Sequence, residues 1–167
     1  MLKPIEIDNF NLDVIDIWKN RWFALLSGNE KDYNSMTVAW GSIGFMWKKP
    51  FVQIVVRPTR YTYELTEKYE TFSLNAFSNG LKPALTLFGS KTGRDTDKIK
   101  ESGLTLQHSD VIDTPYFQEA ELVIECKKIY FDDFKPEHFL DSNINKLYPQ
   151  KDYHRIYFGE IINILKV

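Results

Sequence analysis

Short runs of β-branched and aromatic residues, cut by turn residues and never alternating regularly with helical segments, constrain this chain more than any other feature. Residues 21–26 read as a strand that stops at Ser27-Gly28-Asn29. Residues 35–47 read as one long strand, with Gly41 and Gly44 as bend or bulge positions. Residues 51–56 are a dense β-branched run, the mark of a buried central strand, and 71–76 resume strand character. The late strands are 105–107, 120–131 and 154–166. Helical texture is confined to short pieces. Residues 59–69 place Tyr61, Leu65 and Tyr69 four apart, residues 82–87 follow the Asn79-Gly80 turn, and residues 96–101 stop at Ser102-Gly103. Residues 132–152, broken by Pro136 and Pro149, form a long excursion. This pattern argues against a doubly wound sheet. It predicts a mainly β fold, a closed or split antiparallel barrel with short helical insertions.

A length of 167 residues fits a single domain spanning 1–167, with neither internal repeats nor linkers to divide it. The aromatic fraction of 15% is more than folding alone usually requires; it can fill a barrel or line a pocket for a flat ligand. Basic and acidic residues, 21 against 23, are interspersed, so nothing points to nucleic acid or to an anionic membrane surface. The longest nearly uncharged run, 34–47, is too short and too rich in Ser, Thr and Gly to span a bilayer. Residues 1–6 lack the apolar run of a signal peptide, and Cys126 has no second cysteine to pair with. A cytoplasmic protein is expected.

Three blocks can carry chemistry. In Asn34-Ser35-Met36-Thr37-Val38-Ala39-Trp40-Gly41, strand geometry puts Ser35, Thr37 and Ala39 on one face. Side chains this small let a planar ligand approach the backbone, or let a helix or second subunit pack closely. Arg57-Pro58-Thr59-Arg60-Tyr61-Thr62 is where a buried strand hands over to a helix. Thr59 as the helix cap, free N–H groups, two guanidinium groups and the Thr62 hydroxyl would make a phosphate site. The alternative is that Arg57 and Arg60 pair with Glu64 or Glu67 on the surface. Gly89-Ser90-Lys91-Thr92-Gly93-Arg94-Asp95 is a polar loop able to close on an anion. It is not a P-loop, and no Gly-x-Gly-x-x-Gly supports a dinucleotide fold. His108, His138 and His154 stand far apart without acidic or cysteine neighbours at ligand spacing, so no metal site is expected. No nucleophile–base pair can be nominated either. A bound cofactor would then have to supply any reactive centre.

Taken in order, Asn34-Ser35-Met36-Thr37 with Ala39-Trp40-Gly41, the Arg57–Thr62 block, Gly89 through Lys98, Glu119-Ala120-Glu121-Leu122, Cys126-Lys127, Tyr130 and Asp152 through Ile161 resemble the flavin reductase-like family, nearest its flavoredoxin branch. The likeness runs over residues 18–165. It implies an FMN-binding split barrel of Greek-key antiparallel topology, usually a homodimer with flavin near the subunit interface. By that resemblance Asn34, Met36, Thr37 and Ala39 would meet the ring and ribityl chain. Arg57, Tyr61 and Thr62 would hold the phosphate end, with Ser90 and Lys91 closing from the loop. Arg94 and His154 match family positions too. The implied activity is an NADH- or NADPH-dependent flavin reductase, with FMN supplying the chemistry and no catalytic side chain. The alternatives are an FMN electron carrier serving a redox protein partner, and a barrel that binds a ligand without catalysis.

Overall fold

The computed structural model describes residues 1–167. The β-branched and aromatic runs pair as one eight-stranded sheet, with every pairing antiparallel. Its strands are β1 (Lys3–Ile5), β2 (Phe23–Gly28), β3 (Tyr33–Val38), β4 (Gly41–Met46), β5 (Lys49–Val56), β6 (Thr71–Ala76), β9 (Leu122–Asp133) and β10 (Arg155–Lys166). β7 (Leu106–Gln107) and β8 (Tyr116–Phe117) pair separately. The helices are α1 (Val14–Asp16), α2 (Tyr61–Lys68), α3 (Lys82–Ser90), α4 (Lys98–Ser102) and α5 (Ser142–Asn145). No helix is long and apolar enough to cross a membrane.

Strand order is β3-β2-β6-β9-β10-β5-β4, with β1 added beside β10. The chain runs directly from β3 into β4, yet these strands sit at opposite ends of that order, so the sheet curls round on itself. The β5-to-β6 connection, which carries α2, skips across β10 and β9 in Greek-key fashion. Alternation along the strands sends Phe23, Leu25, Met36, Val38, Ile54, Phe72, Ile124 and Tyr157 into the barrel. The opposite face of β2 and β9, with Ala24, Leu26 and Val123, is covered by Leu85 and Phe88 of α3 and by Phe117.

Several expected boundaries move. The single strand over 35–47 is two strands, broken at Ala39 and Trp40. A Cβ on Gly41 would lie 2.4 Å from the Gln53 carbonyl and 2.6 Å from the Trp18 ring, so the chain turns there to enter a tight seat against β5. Residues 21–26 begin their strand only at Phe23, because Trp22 holds a φ of 66°. Arg60, not Thr59, is the residue capping α2, and it gives no side-chain cap. The helix expected over 96–101 starts at Lys98, where the Asp97 carboxylate accepts the Lys100 amide. The short strand β1 and the helical stretch at 14–21 carried no periodic signal long enough to be read.

Candidate functional site

β3 pairs only with β2, so its other edge is free, and a cleft opens along it toward the end of β5. The cleft has two lobes that share Met36, Arg57 and Arg60. The larger, about 570 Å³, is polar and lies among the start of α2, the end of α3 and the loop before α4. The smaller, about 210 Å³, is more apolar and is lined by five successive residues, Met36 to Val38 at the end of β3 and Ala39 and Trp40 just beyond it, with Val55 and His154.

Register explains who reaches the polar lobe. Asn34 and Met36 point the same way along β3, and the Asn34 amide donates to the Thr62 hydroxyl at 2.7 Å, tying the strand to the first turn of α2. At that turn the Tyr61 and Thr62 amides have no backbone acceptor, as expected of a helix N-terminus. Arg57 follows β5 directly. Its guanidinium donates to Asp152 at 2.7 Å and to the Leu147 carbonyl at 2.9 Å, and it lies over the Tyr148 ring. Arg60 donates to the Gly89 carbonyl at 2.9 Å. Lys91 pairs with Glu101 at 2.6 Å. Lys98 is buried and donates to the Phe88 carbonyl at 3.0 Å.

Charge follows from these contacts. Burial, reinforced by the nearby Arg60 charge, pushes the Lys98 ammonium down to about 8. Burial pushes the Asp152 carboxyl up, but the Arg57 hydrogen bond and charge outweigh it and hold it below its ordinary value. His154 is buried beside Trp40, with its Nδ1 2.7 Å from the Tyr148 hydroxyl. Burial, with Arg57 adding to it, drops the imidazole to about 4, so the ring is neutral at physiological pH.

Of the residues singled out from sequence, Asn34, Met36, Arg57, Tyr61, Thr62, Ser90 and Lys91 line the polar lobe. Thr37, Ala39 and His154 line the apolar lobe. Arg94 reaches neither. It turns to the far side of the loop, where it pairs with Glu64, donates to the Thr59 carbonyl and lies over Tyr61. The small-residue face of β3 is used for close packing at its inner end: Ser35 is buried and donates to the Leu25 carbonyl, and the Thr37 hydroxyl donates to the Leu85 carbonyl of α3. The surface pairs considered for Arg57 and Arg60 do not form. Glu64 takes Arg94, and Glu67 takes Arg155.

Sequence reasoning counted Arg60 in the candidate phosphate block but gave it no role in the site implied by the resemblance, and it missed Lys98, Asp152, Leu147, Pro149 and Gln150, all of which line the polar lobe. Arg60 stood in the right motif, and only its partner at Gly89 separates its role from that of Arg57. Lys98 looks like one more charge on a short polar helix, and nothing local in the sequence says that it is buried.

Known proteins show the same architecture. A domain from Shewanella baltica, described as an FMN-binding domain of flavin reductases-like enzyme, superposes with a TM-score of 0.70 at 17% identity, covering 99% of this chain and 77% of that one. A flavoredoxin from Methanosarcina acetivorans gives 0.70 at 21% identity, over 98% of this chain and 76% of its own. In sequence, an uncharacterised protein of Pyrococcus abyssi is 26% identical over 149 residues, which is 87% of this chain and 73% of that protein. The antiparallel sheet with a few short helices described above matches the flavin reductase-like split barrel. The flavin reductase like domain matches residues 24–165, and the chain belongs to that family.

Proposed function

We propose that the two-lobed cleft binds FMN and that the chain is a cytoplasmic flavin reductase using NADH or NADPH. The observation that carries this reading is the continuity of the cleft: a cationic lobe and an apolar lobe meet along one exposed strand edge. The residues present fit the cofactor. A buried lysine, Arg60, two acceptor-free helix amides and the Thr62 hydroxyl suit a phosphate, while Met36, Ala39, Trp40 and Val55 suit a flat ring. When bound, the flavin would supply the redox chemistry, taking hydride from the nicotinamide. The chain's own residues bind and orient. Asn34 fixes Thr62, the free edge of β3 offers backbone N–H and C=O groups to a ring's polar rim, and neutral His154 walls the apolar lobe without adding charge. Ser90 and Lys91 close the polar lobe from the end of α3 and the loop after it.

A homodimer belongs to the same proposal. From Val55 at the rim of the apolar lobe, the outer face of the sheet continues into Phe51, Phe158, Trp47 and Tyr130, whose rings lie 5.2–5.7 Å apart, with Trp47 53% and Tyr130 45% exposed. An exposed aromatic strip of this kind is the usual seat of a second copy. Light scattering reads the mass.

The decisive test of function is stopped-flow absorbance of FMN-loaded protein mixed with NADH or NADPH. Bleaching of the flavin band is expected. A yellow protein that neither donor bleaches, yet a small redox protein reduces, would establish the electron-carrier reading instead; the flavoredoxin likeness favours that as the second choice. A colourless protein that does not quench FMN fluorescence would sink both.

A further inference from the structure

We propose that residues 135–153 are a hinged strap closing one side of the polar lobe, with Tyr148 as its plug and Arg57 as its latch. The strap follows the end of β9 and returns at the start of β10. Its two ends meet where the Phe134 amide donates to the His154 carbonyl at 3.0 Å. Between those ends the strap is nearly all surface. Tyr148, 4% exposed, is its only buried residue, and every other residue from 135 to 151 is exposed except the half-buried Phe139. A segment that buries so little holds its place through few contacts and opens at low cost.

The hydrogen bonds from the strap to the barrel run through two residues. Arg57 donates to the Asp152 carboxylate at 2.7 Å and to the Leu147 carbonyl at 2.9 Å, and the Tyr148 hydroxyl lies 2.7 Å from His154 Nδ1. The Arg57 guanidinium also covers the Tyr148 ring, 4.8 Å from its centre. The remaining contacts are internal. Phe139 stacks on Tyr148 at 10° and 6.0 Å, and Tyr153 packs against both. The Tyr153 hydroxyl donates to Asn145, and Asp141 caps α5. A loop whose ends touch and whose side chains pack on one another moves as one body. Leu147, Pro149, Gln150 and Asp152 of this body wall the polar lobe. Arg57, with its donors committed to Asp152 and Leu147, fastens that wall. Opening the strap swings the wall aside. On the flavin reading, which this part of the proposal rests on, that motion sets how fast FMN enters and leaves.

The competing role for the strap is a fixed wall that only touches the ligand. Tyr148→Ala removes the plug, and Tyr148→Phe removes only its hydroxyl. In the flavin-free protein, trypsin cleavage after Lys146 and Lys151, followed by mass spectrometry, reads release of the strap. Cleavage should quicken about tenfold or more in Y148A and about 2- to 10-fold in Y148F, with the melting temperature of the barrel nearly unchanged. Stopped-flow fluorescence with FMN then separates gate from wall. A gate predicts that Y148A raises the association and dissociation rate constants together, each about tenfold, leaving their ratio within about threefold. A fixed wall predicts faster dissociation with association unchanged. That second pattern, or Y148A and Y148F straps no more open to trypsin than the wild type, would overturn the proposal. Cleavage that responds as expected in a chain that takes up no FMN would refute only the flavin reading.

Discussion

Gly93→Ala should damage the site while leaving the barrel intact. Gly93 has an ordinary backbone conformation, outside the positive-φ region, so alanine meets no torsional penalty there. The obstacle is space. A Cβ at this position would stand 2.2 Å from Asn34 Oδ1, 2.8 Å from Asn34 Cγ and 2.9 Å from Tyr61 Cδ1, where ordinary contact begins at 3.4 Å. Something must shift by about an ångström, and the Asn34 amide is poorly placed to do it, being buried and bonded to Thr62 at 2.7 Å. If the amide yields, that bond is lost, which costs about 1–3 kcal/mol when a buried polar group goes unpaired, or about 5- to 150-fold in affinity. If the loop yields, Ser90 and Lys91 swing away from the cleft, and the loss is of similar size. FMN titration by fluorescence quenching, with melting of the flavin-free protein alongside, reads both quantities. An FMN affinity within about twofold of wild type would show that the loop and Asn34 do not shape the site.

Other outcomes follow from the same contacts. Arg57→Ala should weaken FMN binding about tenfold or more, because it strands the Asp152 carboxylate in the lobe proposed to take the phosphate; Asp152→Asn should tighten binding several-fold, and calorimetric titrations giving both variants the same sign would contradict that placement. His154 titrates near 4 in the folded chain and near 6.5 unfolded, so the unfolded state takes up the proton first. Stability should therefore fall as pH drops from 6.5 toward 4, by on the order of 1–3 kcal/mol, and His154→Gln should remove that component from urea-unfolding curves. Gly159→Ala, whose Cβ would lie 2.5 Å from Phe72 Cζ and 2.8 Å from Cys126 Cβ, should cost about 1–3 kcal/mol of stability by overpacking, with FMN affinity of the folded protein unchanged.

Strand and helix identity were readable wherever a segment's own residues decide it. The β-branching of Val52, Ile54, Val55 and Val56 is sufficient to mark β5, and Thr71 to Ala76 forms a strand with the bounds its sequence suggests. What stayed hidden depends on distant partners. Arg57 and Arg60 are chemically alike and three positions apart. Asp152, which neutralises the first, lies 95 residues away, and nothing near either arginine announces it. Lys98 is buried because α4 packs against the end of α3, so a lysine in a run of Lys and Glu reads as solvated when it is enclosed. Arg94 shows the converse. It stands in the expected motif, but Glu64 lies across the loop and takes it away from the cleft.

The misread boundary at Ala39 and Trp40 is also where the site originates. A continuous strand over 35–47 would have kept its edge in one line and offered that edge to a neighbour along its whole length. Instead Gly41 drops into its seat against Trp18 and Gln53, and the chain leaves β3 to join β5. The edge of β3 is left unpaired just where β5 ends and Arg57 begins. An open edge is ordinarily a liability for a β protein, an invitation to pair with another chain. Here it is flanked by the start of α2, the end of α3 and the Leu147–Gln150 stretch, so a small molecule can reach it and a strand cannot. The residues on that edge then need to be small or polar for a reason apart from the core: Thr37 and Ala39 leave backbone within reach, and Asn34 locks the helix end that completes the polar lobe. If that is why the strand breaks, filling the edge should abolish ligand binding without unfolding the barrel, and Ala39→Phe, which crowds the apolar lobe from an already half-exposed position, is the substitution that would do so.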